Sequence, residues 1–362
     1  MNRTCRVGVG LLLALLVVVA RAAPDYRTLA VGLVEDYALP RYAVLAGAFE
    51  AQKNVLNDFC EVPDEAGLTA ARAAFHDSMD AWQGIQHITA GPIQLLFRRE
   101  RINHWPERRN AVARGLNALL RAADSSAITP ARLAEASVAV QGLPALERLL
   151  FDEEALDAFG ADTDDARFRC KLATAIAANL TTIAREVVAE WRDDALPVLK
   201  AGESHPIYFR DAGDLSARLL TDLQGLLQLM IDLKLAPVLG DAADVARPLR
   251  VENRRSLRGA RNLRLNLEAA WAMVAGGEAA GFGPYLARAE LDLYESLMDA
   301  FAAAGQTAAT LPVPLTTALS EPAPRAQVVD FLETLRALRA LVRESVPAAL
   351  GLTLGFNAMD GD

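Results

Sequence analysis

The sequence has almost no strand signal. Nowhere do Val, Ile, Thr and aromatic residues alternate along a run bounded by tight turns, and aromatics are only 6% of the 362 residues, which argues against a sheet-based fold. Histidine is scarce, with four residues, so a His-rich metal centre is not expected. Familiar catalytic signatures are missing as well. There is no His-Glu-x-x-His zinc motif, no Cys-x-x-Cys pair, no Gly-x-Ser-x-Gly elbow and no glycine-rich phosphate loop. Basic residues are outnumbered, 37 against 46 acidic ones, and the net charge of −9 argues against a nucleic-acid partner. After the first 22 residues no segment reads as apolar enough to span a membrane, so no transmembrane segment is expected in the mature chain.

What is present begins with an export signal. Arg3 and Arg6 form a short basic region, Val7 to Ala20 is apolar, and Ala20-Arg21-Ala22 supplies small residues two apart for a signal peptidase. The apolar run is about 14 residues, short of the roughly 20 that a membrane anchor needs. Residues 1–22 are therefore read as a cleaved signal peptide, and the mature protein as periplasmic. Cys5 lies ahead of the apolar run and is no lipid-anchor cysteine. Of the three cysteines only Cys60 and Cys170 survive processing, and an oxidising compartment lets them pair. A closed loop of about 110 residues corresponds to roughly 4–5 kcal/mol on the chain-entropy model.

The rest reads as all-α. Ala, Leu and Arg dominate, and apolar residues recur at three- and four-residue spacing. A first helix is expected over 26–60 with a bend near Pro40, a second over 68–88, a short third over 108–123, and a fourth starting at Thr129-Pro130, kinked at Gly142-Leu143-Pro144 and continuing to Phe151. A long helix follows over 166–199. Gly202-Glu203-Ser204-His205-Pro206 then divides the chain into two helical-bundle domains, 23–201 and 202–350, followed by a flexible tail at 351–362. Gln141-Gly142-Leu143 and Gln224-Gly225-Leu226 are a short echo between the halves.

Three segments look unlike plain core. His76, Asp80, Gln83 and His87 fall within roughly 60° of arc on the second expected helix, which makes a polar line facing either a cleft or solvent. His76 and His87 lie about 16 Å apart along that axis and cannot share a metal. Arg98 to Asn110 is a loop dense in arginine that includes Trp105; it can bind an anion or pair with buried carboxylates. In the third segment Gly142 permits close approach of another backbone, and Glu147 stands among Leu146, Leu149, Leu150 and Phe151, where a carboxylate needs a cation or a hydrogen-bonding partner.

These segments, in this order, resemble the imelysin family of bacterial envelope proteins. The resemblance rests on Phe59-Cys60-Glu61-Val62-Pro63, Ala81-Trp82-Gln83-Gly84-Ile85-Gln86-His87, Gly91-Pro92, the run from Arg101-Ile102-Asn103-His104-Trp105-Pro106 to Asn110, Ser137 to Phe151, and Arg254-Arg255-Ser256-Leu257. It implies an all-helical fold of two bundle-like domains in the periplasm or on the outer surface. It also implies either metallopeptidase activity or a link to iron uptake. The family signature is Gly-x-His-x-x-Glu, whose His and Glu share a helix face and can hold one metal. Here Gly142 and Glu147 match, but Pro144 stands where the histidine would be and has no ligand atom.

The expectation is therefore a non-peptidase, imelysin-like periplasmic protein that binds a small ligand or a metal ion in a cleft between helical bundles, with a link to iron uptake and to an envelope iron-uptake component. Trp82, Gln86, His87, Arg101, Trp105, Arg109, Gln141, Gly142, Arg255 and Ser256 are its candidate ligand-binding residues. Glu147 is the candidate ligand of a divalent metal, iron or zinc. The alternatives are a divergent metallopeptidase using Glu147 as ligand or general base, and a structural or adaptor protein of the envelope.

Overall fold

Side-chain caps open several of the long helices. Asp64 accepts from Gly67 N at the start of Glu65–Gln83, Thr163 from Ala166 N at the start of Asp164–Glu190, and Asp211 from Asp214 N at the start of Ala212–Gln228. The computed structural model describes residues 24–124, 128–276 and 281–355, and among these no strand occurs. The fold is all-α. The expected signal peptide lies outside the described residues.

Prolines leave a recurring mark. Pro40, Pro197 and Pro237 each stand two residues beyond the end of a π-helical turn, at Leu33–Ala38, Trp191–Ala195 and Leu229–Leu235. A proline supplies no amide hydrogen, and the wider turn ahead of it takes up the change of register, so the helix runs on. The bend expected near Pro40 is such a turn.

Two groups of helices assemble around one continuous apolar core. In the first, Leu39–Glu61 packs against Asp164–Glu190 and Glu65–Gln83. The Cys60–Cys170 disulfide, with Cα atoms 5.5 Å apart, ties the end of Leu39–Glu61 to Asp164–Glu190. In the second, Leu291–Ala309 packs against Pro322–Glu344 and Gly259–Ala275, and Ala212–Gln228 packs against the last two. The groups meet where Glu65–Gln83 touches Gly259–Ala275. The short Tyr26–Gly32 helix joins them again: it packs on Ala212–Gln228, and Tyr26 Oη donates to Leu350 O at 2.9 Å.

Several local expectations need correction. The helix expected to run from Thr129 through a kink to Phe151 is two helices, Pro130–Glu135 and Leu143–Leu150, separated by a 3-10 turn at Val138–Val140. Pro144 therefore sits in the first turn of a new helix, where its missing amide hydrogen costs nothing. Glu65–Gln83 stops at Gly84, so His87 lies beyond the helix that was expected to carry it. Asp164–Ala201 has the length and apolar composition of a membrane span, contrary to the sequence reading, but 67% of its most apolar window is buried in the core. The start of the expected tail is held: Leu352 is buried and Gly355 N donates to Thr221 Oγ1 at 2.9 Å, while residues 356–362 lie outside the described residues.

Gly142 fits the close approach expected of it. A Cβ there would sit 2.3 Å from Ile102 O and 2.4 Å from Arg101 O, closer than atoms can pack. Gly142→Ala must push two backbone segments apart and is expected to destabilise the protein by about 2 kcal/mol, read as a lower urea midpoint. An unchanged midpoint would show that these segments do not touch in solution.

Candidate functional site: two cavities where the helix groups meet

Two cavities open at the junction of the helix groups. The first, about 590 Å³, is lined from one side by Trp82, Gln86, His87 and Arg99, and from the other by Asp222 and Gly225. The second, about 690 Å³, lies between Arg108, Arg109, Glu147 and Arg148 on one side and Arg254 and Arg255 on the other. Trp105 and Pro106, with Asn103, His104 and Leu233, line both and form the wall they share. Of the expected ligand-binding residues, Trp82, Gln86, His87 and Trp105 therefore reach the first cavity, and Trp105, Arg109 and Arg255 the second.

The other candidates serve elsewhere. Arg101 donates to Gln141 Oε1 at 2.7 Å and to Asn179 Oδ1 at 2.8 Å, and neither it nor Gln141 lines either cavity. With Gly142 they clamp the Arg98–Ile102 turn onto the first group of helices. Arg98 does the same through Glu190 at 2.8 Å and Glu186 at 3.0 Å, so this part of the arginine-rich loop pairs with carboxylates instead of waiting for an anion. Ser256 is buried behind the second cavity, against Glu147.

In the first cavity the hydrogen bonds fix the form of His87. Tyr37 Oη donates to Ala269 O at 2.8 Å, so the 2.8 Å contact between Tyr37 Oη and His87 Nε2 has the imidazole as donor. The Nδ1 of His87 then carries no proton, and it is buried without a partner; Trp82 Nε1, a donor, is likewise buried without one. Burial, with help from Arg41 and Arg99, lowers the His87 pKa to about 3. Burial pushes Asp222 the other way, to about 6, although it accepts from Thr89 N at 2.9 Å and Ala90 N at 3.2 Å. Nothing local in the sequence marks Asp222; its partners are more than a hundred residues away.

These shifts give opposite pH dependences. A histidine whose folded pKa is depressed stabilises the fold fully above its unfolded value near 6.5, and that contribution fades as pH falls toward 3, because only the unfolded chain then takes up the proton. Asp222, with its raised value, returns stability as pH falls through about 6. Comparing wild type with His87→Gln cancels the Asp222 part. The stability difference between them is expected to shrink by about 2 kcal/mol from pH 7 to pH 5, measured by urea unfolding at each pH. A difference independent of pH would mean that His87 is not buried neutral.

A buried polar chain runs between the cavities. Lys234 Nζ lies 2.7 Å from Glu252 Oε2, both side chains being only 3% exposed, and donates also to Gln83 Oε1 at 2.8 Å and Asn266 Oδ1 at 2.7 Å. Asn262 donates to Glu252 and to Asn253 Oδ1, each at 2.8 Å. Asn253 donates to Glu147 Oε2 at 3.2 Å, and Ser256 gives Glu147 Oε1 two further bonds, from its amide at 3.0 Å and its hydroxyl at 2.8 Å. The His76–Asp80 end of the expected polar line joins the same system through buried Arg258, which bonds both. For Asp80, burial pushes the pKa up, but the bonds from Arg261 and Arg258 outweigh it and hold the carboxyl below its usual value. Among Lys234, Glu252, Asn262 and Asn266, none was singled out by the sequence reading.

Residues 38–342 match the family described as Imelysin. The chain belongs to the imelysin family. It is similar to an iron-regulated protein A from Synechococcus elongatus, 24% identical over 328 residues that cover 87% of this chain and 85% of that one. Among solved structures, an imelysin-like protein from Psychrobacter arcticum superposes with a TM-score of 0.73 at 20% identity, covering 93% of this chain and 98% of the other. A protein from Parabacteroides distasonis, named as an iron-regulated protein A precursor, gives 0.75 at 14% identity, covering 91% and 97%. At such identities the superpositions speak to the fold alone, and it is the imelysin fold.

The residues present do not fit the metal that the imelysin signature implies. Glu147 is the expected carboxylate of that signature, and both its oxygens are taken by Ser256 and Asn253. Pro144 has no donor atom, and Arg148 beside Glu147 and Arg254 and Arg255 across the second cavity repel a cation. Among the described residues no group of three or more His, Cys, Asp and Glu side chains could hold a metal ion.

Proposed function

We propose that the chain is an exported, imelysin-family protein of the periplasm that binds a small ligand between its two groups of helices, lacks peptidase activity and serves the cell's handling of iron. The first cavity carries the binding reading. It is of small-molecule size, and Trp82 and His87, which line it, each hold a buried polar atom without a partner, the donor Nε1 and the acceptor Nδ1. Buried polar atoms are nearly always paired, so an unpaired donor and acceptor beside one cavity suit a ligand that pairs them. The export reading is supported by the N-terminal signal and by a disulfide that suits an oxidising compartment. The iron link rests on the names of the Synechococcus and Parabacteroides proteins. The absence of peptidase activity rests on Pro144 and on the engaged carboxylate of Glu147.

Native mass spectrometry of protein purified from the periplasm, without chelator, tests the reading. The expected result is a non-covalent small molecule retained by wild type and lost in Trp82→Phe/His87→Leu, with no peptide hydrolysis before or after addition of zinc or iron. Chelator-sensitive hydrolysis that disappears in Glu147→Ala would establish the metallopeptidase instead. Retention of the same molecule by the double variant would remove the first cavity from consideration.

A further inference from the structure

The second cavity holds positive charge that the protein does not neutralise. Six arginines line it, Arg108, Arg109, Arg148, Arg250, Arg254 and Arg255, against two acids, Glu107 and Glu147. Both acids are engaged. Glu107 accepts from Arg148 at 2.9 Å and from Val112 N at 2.7 Å, and Glu147 accepts from Ser256 and Asn253. Arg109, Arg250, Arg254 and Arg255 have no hydrogen-bonded or ion-paired side-chain partner among the described residues.

Arg254 and Arg255 are half-buried, so water screens their charges only in part. Burial and the neighbouring Arg148 and Arg254 lower the Arg255 pKa, and the through-space pull of Glu147 and Asp152 does not offset them. Holding like charges together in this way costs stability unless something of opposite charge joins them. The backbone on both walls is also held in the left-handed region at non-glycine residues: Arg109 at φ 56° and Asn110 at φ 54° on one side, Asn253 at φ 48° on the other. Such strain persists only where surrounding structure imposes it, and it collects at binding sites.

We propose that this cavity binds a small oligo-anion, a molecule carrying two or more carboxylate or phosphate groups. Planar guanidinium forks match both groups through paired hydrogen bonds, and four arginines without partners on facing walls can grip both ends of such a molecule. The volume of about 690 Å³ is that of a small-ligand site. Arg254 and Arg255 form the inner grip, and Arg109 and Arg250 the exposed rim. The site is separate from the first cavity and stands without the reading given for it.

Isothermal titration of the full mature chain with citrate and with pyrophosphate, metal-free, at 50 and 300 mM NaCl, tests this. Saturable binding of at least one anion is expected, weaker at the higher salt and at least tenfold weaker in Arg254→Gln/Arg255→Gln. Without anion, that variant is expected to melt at the same or a higher temperature, because a repulsion has been removed. Binding of citrate alone would identify a carboxylate ligand, and of pyrophosphate alone a phosphate ligand. Absence of saturable binding of either anion at 50 mM salt, or wild-type affinity in the double variant, would overturn the proposal. Should the double variant fail to fold, Arg109→Gln on the exposed rim keeps the test open, with an expected threefold loss for the anion that binds and no loss if the proposal is wrong.

Discussion

Lys234→Ala is expected to destabilise the protein by about 3–5 kcal/mol, the cost of leaving a buried carboxylate without its cation. The carboxylate is Glu252. It keeps only the amides of Asn262 and Gln83 once Lys234 is gone, and these are neutral donors. Burial drives the Lys234 pKa down, and the through-space pull and hydrogen bond of Glu252 oppose that. Removing one strands the other, together with the amide oxygen of Asn266 that Lys234 now satisfies, while Gln83 Oε1 keeps the amides of Gln86 and Asn266. Lys234→Met/Glu252→Gln removes both charges at similar volume and is expected to recover most of the loss. Urea unfolding of the three proteins at pH 7 checks this. A loss under about 1 kcal/mol for Lys234→Ala would place the pair in water, where such bridges contribute little.

Glu147→Ala is expected to cost about 3 kcal/mol, for a related reason. Two donors lose their acceptor, Ser256 N and Asn253 Nδ2, and Ser256 Oγ keeps only the longer bond to Asn253 O. The tie between Leu143–Leu150 and the 253–256 turn is cut. Glu147→Gln keeps one oxygen for Ser256 and is expected to cost about 1 kcal/mol, the net value of a hydrogen bond. Melting temperature and metal content, measured on the same samples, separate this role from ligation. A carboxylate that clamps the turn changes the first and leaves the second alone. A metal ligand would do the reverse in Glu147→Gln, losing metal with little change in melting.

Glu147 also shows how far the sequence could be followed. A carboxylate on an apolar helix needs a partner, which local reasoning can state. The partner is more than a hundred residues away, and local reasoning cannot choose among a metal, an arginine and a hydroxyl. The same limit explains the arginines. Arg98, Arg101, Arg254 and Arg255 look alike in a chain. Packing turned the first two inward, onto Glu190 and Gln141, and left the last two beside a cavity. The expected polar line on the second helix failed at one end for a different reason. Gly84 ends that helix one turn early, and His87 reaches the first cavity from the turn that follows.

The sequence by itself determined the helical class, the pairing of Cys60 with Cys170, the place of the glycine at Gly142 and the family resemblance. It also placed Pro144, a residue with no ligand atom, between the Gly142 and Glu147 that resemble the signature. All of these are written in local periodicity, in a small count of cysteines or in short ordered motifs. The tertiary structure alone decided that Lys234, Glu252, Asn262 and Asn266 form one buried chain, and that the expected cleft is two cavities divided by Trp105. Burial of a polar side chain is a property of what folds over it, and here what folds over it comes from the other group of helices.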